Sequence, residues 1–252
     1  MKVVYWIDSM TKNNANISNA LAERAAQVQR GGARAAVLGV NDGLVSTLCI
    51  VVAVAATGAP NIAVLTAGLA GLLAGAISMA AGEWISVRTQ VELFEGVLGD
   101  LKKAMNADRQ LLIKNLSHNF QEHGIDTKTA DHAAKDVAAK DDQLMSMYSA
   151  QVIGVNEDEL GSPWNAAISS FVLFTIGALI PLVPWLINLH GTLSIFVAIA
   201  LTGFAGLFVG AYTARSSGKT IWYGALRQFL IIVFSAAVTY GIGHLFGAAT
   251  GI

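Results

Sequence analysis

Five times along this chain, stretches of about twenty residues pass with almost no charge, the length a helix needs to cross the hydrocarbon core of a bilayer. In lipid every backbone N–H and C=O must be satisfied inside its own element, so runs of this length and composition fold as helices. The composition agrees: 54% of the 252 residues are hydrophobic and 13% charged, against about 25% charged in a soluble domain. The fold class expected is an all-α integral membrane protein with five transmembrane helices and a cytosolic helical hairpin inserted between helices 2 and 3.

The first span is expected at 35–56, roughly 22 residues or ~33 Å of helix. Gly58 and Pro60 break the chain at 57–61. The second span begins near Ile62 and meets no lysine or arginine until Arg88. No strong stop follows, so its helix is expected to run on through 91–103. Ser162-Pro163-Trp164 reads as a helix start with a serine cap and a proline in the first turn. The third span follows to about Ile187, with Pro181 and Pro184 expected to kink its distal end. A tight turn at 188–191, a fourth span at 193–214, a short basic loop at 215–219 and a fifth span at 221–246 complete the membrane part.

The polar remainder divides the chain into four: an N-terminal segment 1–33, spans 1 and 2 at 34–88, an insert at 89–160, and spans 3 to 5 at 161–252. In the N-terminal segment Ile17, Leu21, Ala25 and Val28 share one helical face. They suit a short amphipathic helix on the membrane surface or against the cytosolic part. The insert holds 20 of the 33 formally charged residues. Leu93, Val97, Leu101 and Met105 repeat every four residues, and Leu112, Leu116 and Phe120 resume the pattern after a slip. This is one amphipathic helix or two in line. His123-Gly124-Ile125-Asp126 stops it and caps a return helix over 128–152. Such a hairpin has one thin apolar seam, and a partner is expected to cover it.

All sixteen lysines and arginines lie in the N-terminal segment, at Arg34 and Arg88 where the stretch of spans 1 and 2 begins and ends, in the insert, in the 215–219 loop or at the start of the last span. The turns at 57–61 and 188–191 and everything after Arg227 have none. The positive-inside rule then places the N-terminus and insert in the cytosol and the C-terminus outside or in a lumen. The single cysteine, Cys49, sits in an apolar run and reads as a packing residue. No zinc spacing and no nucleophile–base set can be assembled, so an enzyme is not expected. No tightly bound cofactor and no nucleic-acid partner is expected either.

Two carboxylates interrupt the apolar runs. Asp42 lies about eight residues, or ~12 Å, into the first span from Arg34. An ionisable group at such depth costs several kcal/mol, roughly 2.5–3.5 on insertion scales, and is a functional candidate by default. On the antiparallel second helix Met79 lies ~13 Å and Glu83 ~7.5 Å from Arg88, so Met79 is at a depth similar to that of Asp42. Met79 and Glu83 are i, i+4 and share a face. Gly68, Gly71, Gly75 and Gly82 follow compatible spacing, as do Gly39 and Gly43 around Asn41-Asp42, and small residues let membrane helices approach closely. Two carboxylates with a thioether suit Mn²⁺ or Fe²⁺ better than calcium or magnesium. A carboxylate that binds either metal or proton is enough to couple the two fluxes. Blander readings stand beside these: Asp42 bonded to backbone at a helix break, Glu83 snorkelling to the interface, Met79 as packing. Trp84, Trp164, Trp185 and Trp222 fall near span ends and read as interface anchors.

Three motifs then carry a resemblance: Leu38-Gly-Val-Asn-Asp-Gly-Leu-Val-Ser-Thr47, Ala74-Gly-Ala-Ile-Ser-Met-Ala-Ala-Gly-Glu-Trp-Ile-Ser-Val87 and Gly161-Ser-Pro-Trp-Asn-Ala-Ala167. In order over most of 34–247, the chain resembles the vacuolar iron transporter family, as a bacterial-type or divergent member. The resemblance implies a five-span homodimer that exports Fe²⁺, often also Mn²⁺, from the cytosol in exchange for protons, here across a bacterial inner membrane. It maps the family's intramembrane aspartate and methionine onto Asp42 and Met79 and its motif glutamate onto Glu83, with Asn41 and Ser46 lining the pathway. Fe²⁺ or Mn²⁺ enters as the transported substrate.

One departure concerns the insert. The family's cytosolic metal-binding domain carries repeated glutamates, and here only Glu92 and Glu95 match before Leu101, Ala104, Leu112 and Asn115 take over. On the return helix Met145 and Met147 are present, while Gln151 stands where an acid is expected. The implied cytosolic site of Glu92, Glu95, Met145 and Met147 is therefore a reduced one. Asp100, Asp108, Asp141 and Asp142 are either partial replacements or a solvated face. The competing reading from another class is a membrane interaction or scaffold protein whose carboxylates are structural.

Overall fold

The computed structural model describes residues 32–156 and 160–250. The amphipathic helix expected near 15–30 lies outside them. Among the described residues there is no β-strand. The helices are α1 (Gly32–Ala56), α2 (Asn61–Ala107), α3 (Arg109–Glu122), α4 (Thr127–Val137), α5 (Asp141–Tyr148), α6 (Pro163–Leu186), α7 (Thr192–Ser216) and α8 (Ile221–Thr250). A π-helical turn, Ser149–Ile153, follows α5. Five of them, α1, α2, α6, α7 and α8, are long and apolar enough to cross a membrane. The second continues without interruption for 47 residues, as its missing stop signal predicts. The chain divides into two compact units, one formed by 31–85 with 163–252 and the other including 86–162.

In the first unit the five apolar helices surround a core of Leu48, Val51, Val52, Val64, Leu72, Phe174, Leu182, Trp185 and Ile232, each at most 5% exposed. Trp185 is 2% exposed, which overturns its reading as an interface anchor: it faces the bundle. Trp164 and Trp222 are exposed, and Trp164 meets Trp84 edge to face at 5.9 Å. The α6 helix runs through Pro181 and Pro184, both buried. At one end of the unit Asn61 Nδ2 donates to the carbonyl of Leu189 at 2.7 Å, tying the two uncharged turns together. Asn188 and Gly191 turn the chain there with φ of 56° and 68°. A cavity of about 290 Å³ opens at the same end, lined among others by Asn61, Trp185 and Tyr240.

The closest helix approaches run through glycines, though not chiefly those on the second span. A Cβ on Gly43 would lie 2.2 Å from the carbonyl oxygen of Phe174, and one on Gly177 2.3 Å from that of Val40. Here α1 and α6 touch main chain to main chain. Gly210 and Gly224 do the same between α7 and α8, and Gly243 brings α8 onto the Ala53 carbonyl of α1. Gly68, Gly71 and Gly75 instead receive the side chains of Leu182 and Val51, Ile50 and Phe174, while Gly82 has nothing within 4 Å. The small face of α2 is therefore filled by neighbouring side chains rather than closed against a backbone.

In the second unit each arm of the hairpin contains a helix break. Asp108 ends α2 and caps α3, accepting from the Leu111 N–H at 3.0 Å. Gly124, at φ 87°, ends α3, with the Ile125 N–H reaching back to the Phe120 carbonyl in the glycine-terminated pattern common at helix ends. Asp126 then caps α4 through the Lys128 N–H at 3.1 Å. The return arm breaks again after Ala138, and Arg109 fastens this break by donating to the Ala138 carbonyl and to Asp141 at 2.8 Å. The breaks let the pieces fold onto one another. Leu101, Met105, Leu112, Ile113, Leu116, Ala134, Ala138 and Leu144 form a core of their own. Most of the apolar seam is thus buried within the unit, while Leu93 at its start is 66% exposed. Leu116 is fully buried there, so Leu116→Ala should destabilise this unit by about 2–5 kcal/mol, seen as faster amide hydrogen exchange across 86–162.

Candidate functional site

The first motif folds into the opening turns of α1, and helical geometry sorts its residues by face. Gly39 and Gly43 are one turn apart and pack on α6, the first near the Ser170 carbonyl and the second against Phe174. Leu38 and Asp42, also one turn apart, lie on an exposed face. The helix is unbroken at Asp42, so a carboxylate stationed at a helix break does not describe it. Ser46 donates its hydroxyl to the Asp42 backbone carbonyl one turn back, an ordinary bond for serine in an apolar helix. Its Oγ is thereby held on the strip next to Asp42. Asn41, about 100° around the helix from Asp42, turns inward and accepts a hydrogen bond from Gln228 of α8.

The second motif lies on α2. Met79 is half-buried and packs on the core of the five-helix unit, and Glu83, one turn further, is half-buried as well. The face of α2 bearing Leu69, Leu73 and Ile77 is exposed. Among the described residues no three histidine, cysteine, aspartate or glutamate side chains converge into a metal site. Within one chain, then, the membrane candidates sit on two separate helices: Asp42, Asn41 and Ser46 on α1, Met79 and Glu83 on α2.

Three of the four insert candidates are occupied with local partners. Glu92 pairs with Arg88 at 2.7 Å across one helical turn, and Glu95 is exposed. Met145 and Met147 pack on the insert core. Met147 also borders an open cavity with Asp136, Asp142 and Ser146, which puts two acids and a thioether around one space. Asp141 is engaged with Arg109.

Gln228 escapes a reading focused on charge. It is 7% exposed, one residue past the last arginine, and its side chain lies over Gly206 and Gly210 of α7 while reaching Asn41 of α1. A carboxamide in an apolar run was the signal available for it.

The architecture is that of a polytopic helical membrane protein with a carboxylate set on a membrane-length helix. The family model described as the VIT family matches residues 33–244, and the chain belongs to that family. It is 31% identical to a vacuolar iron transporter of Acanthamoeba castellanii over 222 residues, 85% of this chain and 78% of the relative. It is 30% identical to vacuolar iron transporter homolog 1 of Oryza sativa subsp. japonica, covering 85% of this chain and 73% of that protein. The VIT-like transporter 1b of Glycine max is also 30% identical, with 86% and 76% covered.

Proposed function

We propose that this chain is a proton-coupled divalent metal transporter that moves Fe²⁺ or Mn²⁺ out of the cytosol as a homodimer. The observation that carries the reading is Asp42: a carboxylate on the exposed face of a continuous membrane-length helix, otherwise locked into its bundle by glycine contacts. Left against lipid it is expensive. A second copy laid on this face, with the exposed apolar side of α2, removes that exposure and sets two Asp42 residues along a shared path. The names of the family relatives supply the metal, iron.

In this reading Asp42 carries metal one way and proton the other, since the two compete for one carboxylate. Met79 is the soft ligand or gate, favouring transition metals over calcium and magnesium. Glu83 stands at the cytosolic entrance and Ser46 lines the path beside Asp42, while Asn41, expected there as well, turns inward to Gln228 and backs the path from behind. Glu92, Glu95, Met145 and Met147 act at most as a weak cytosolic capture site. The insert and N-terminus face the cytosol, and in this reading the membrane is a bacterial inner membrane.

The test is purified protein in proteoliposomes with an internal pH probe. Addition of Fe²⁺ or Mn²⁺ should give metal flux with opposite proton flux, the metals competing with each other. No flux of either metal would overturn the proposal and favour a scaffold with structural carboxylates.

A further inference from the structure

Asn41 and Gln228 are the two ends of a carboxamide bridge between the first and last membrane helices. Gln228 is almost wholly buried, and its stem lies in the groove that Gly206 and Gly210 open on α7. A Cβ placed on Gly210 would come within 2.8 Å of the Gln228 Cβ, so the stem has little room to swing. Asn41 immediately precedes Asp42 on a helix with 3.6 residues per turn, so fixing the azimuth of one fixes that of the other. The glycine contacts of α1 with α6 and α8 set the spacing of these helices. Steric contact of small residues resists approach but leaves slow rotation cheaper than a directional bond does. The carboxamide pair supplies that direction, and in a medium without competing water neither amide has a ready substitute.

We propose that Gln228 is a positioning residue for the transport site: through Asn41 it holds the rotation of α1 that aims Asp42 into the pathway. This rests on the transporter reading above. Losing the bridge should weaken metal binding at Asp42 by about 10–100-fold, the usual range for groups that orient a metal ligand from outside its shell. The effect should fall on KM. A merely structural role would lower the amount of active protein, and so the maximal rate, leaving KM where it was.

Three variants decide it in proteoliposomes loaded with Fe²⁺. Gln228→Leu removes the amide, Gln228→Asn shortens it by one methylene, and the exchange Asn41→Gln with Gln228→Asn restores the combined length. Raised KM in both single variants, with recovery in the exchange, is the expected result. Wild-type KM in both, or a fall in maximal rate alone, overturns the positioning role. A readout without transport uses Asp42→Cys in a Cys49→Ala background, labelled by a membrane-impermeant thiosulfonate. Adding Gln228→Asn should change the labelling rate severalfold, and an unchanged rate in folded protein overturns the proposal. If wild-type protein moves no metal, the transporter reading fails while the labelling result still reports on the bridge.

Discussion

Asp42→Ala is expected to abolish metal flux and leave the protein at least as stable as before. The two halves of this result have one origin. A carboxylate at membrane depth is held against roughly 2.5–3.5 kcal/mol on insertion scales, so its removal should leave the melting temperature in detergent unchanged or higher. Transport should fall by about two orders of magnitude or more, since losing even an outer group of a metal site costs about 10–100-fold. Asp42→Asn separates charge from shape: it keeps the size and hydrogen bonding of the side chain and should be equally inactive. In wild-type protein, acidifying the metal-loading side should raise the apparent KM for Fe²⁺, because a proton on the carboxylate excludes the cation. The penalty grows as pH falls. Retained flux in Asp42→Asn with an unaltered proton response would falsify the carrier role.

Gly43→Ala should have the second largest effect, and on folding rather than chemistry. The added methyl would stand 2.2 Å from the Phe174 carbonyl and 2.9 Å from the Ala178 nitrogen. Both are main-chain atoms of a helix held elsewhere, so no rotamer change relieves the clash. Overpacking of this sort costs about 1–3 kcal/mol and more where backbone must shift. Gly177→Ala meets the reverse face of the same contact, the Val40 carbonyl at 2.3 Å, and should behave alike. Gly82→Ala is the control, since nothing lies within 4 Å of it and alanine is the better helix former. Thermal unfolding in detergent should rank Gly82→Ala at or above wild type and the other two well below.

The membrane helices were legible because hydropathy and breakers act over whole segments: the five spans and the uninterrupted run past Arg88 follow directly from them. Asp42, Met79 and Glu83 stood out for a related reason, as polar groups or sulfur against an apolar background. What the sequence did not disclose are contacts between segments distant in the chain. Trp185 has the composition of an interface residue and the surroundings of a core one, and only its packing into the buried cluster of the bundle distinguishes the two readings. The glycine pattern of α2 looked like that of α1, yet what fills the gap depends on the partner's residue, a carbonyl in one case and Phe174 or Leu182 in the other. The break at Asp108 had a local signal, an aspartate four positions before the renewed apolar repeat, but the slip in that repeat fits both a bend and a straight helix. Gln228 becomes meaningful only when Asn41, 187 residues away in the chain, is found opposite it.

The two kinds of glycine contact also divide the bundle by stiffness. Where main chain meets main chain, along α1 with α6 and α8, no side chain can yield and the spacing of the helices is fixed. Along α2 the glycines are met by Ile50, Phe174 and Leu182 side chains, whose rotamers yield at small energy. Thermal displacement in the bilayer should therefore concentrate in α2, with α1 carrying Asp42 as a fixed post. In the transporter proposed above, the helix with the thioether is then the one expected to move past the helix with the carboxylate.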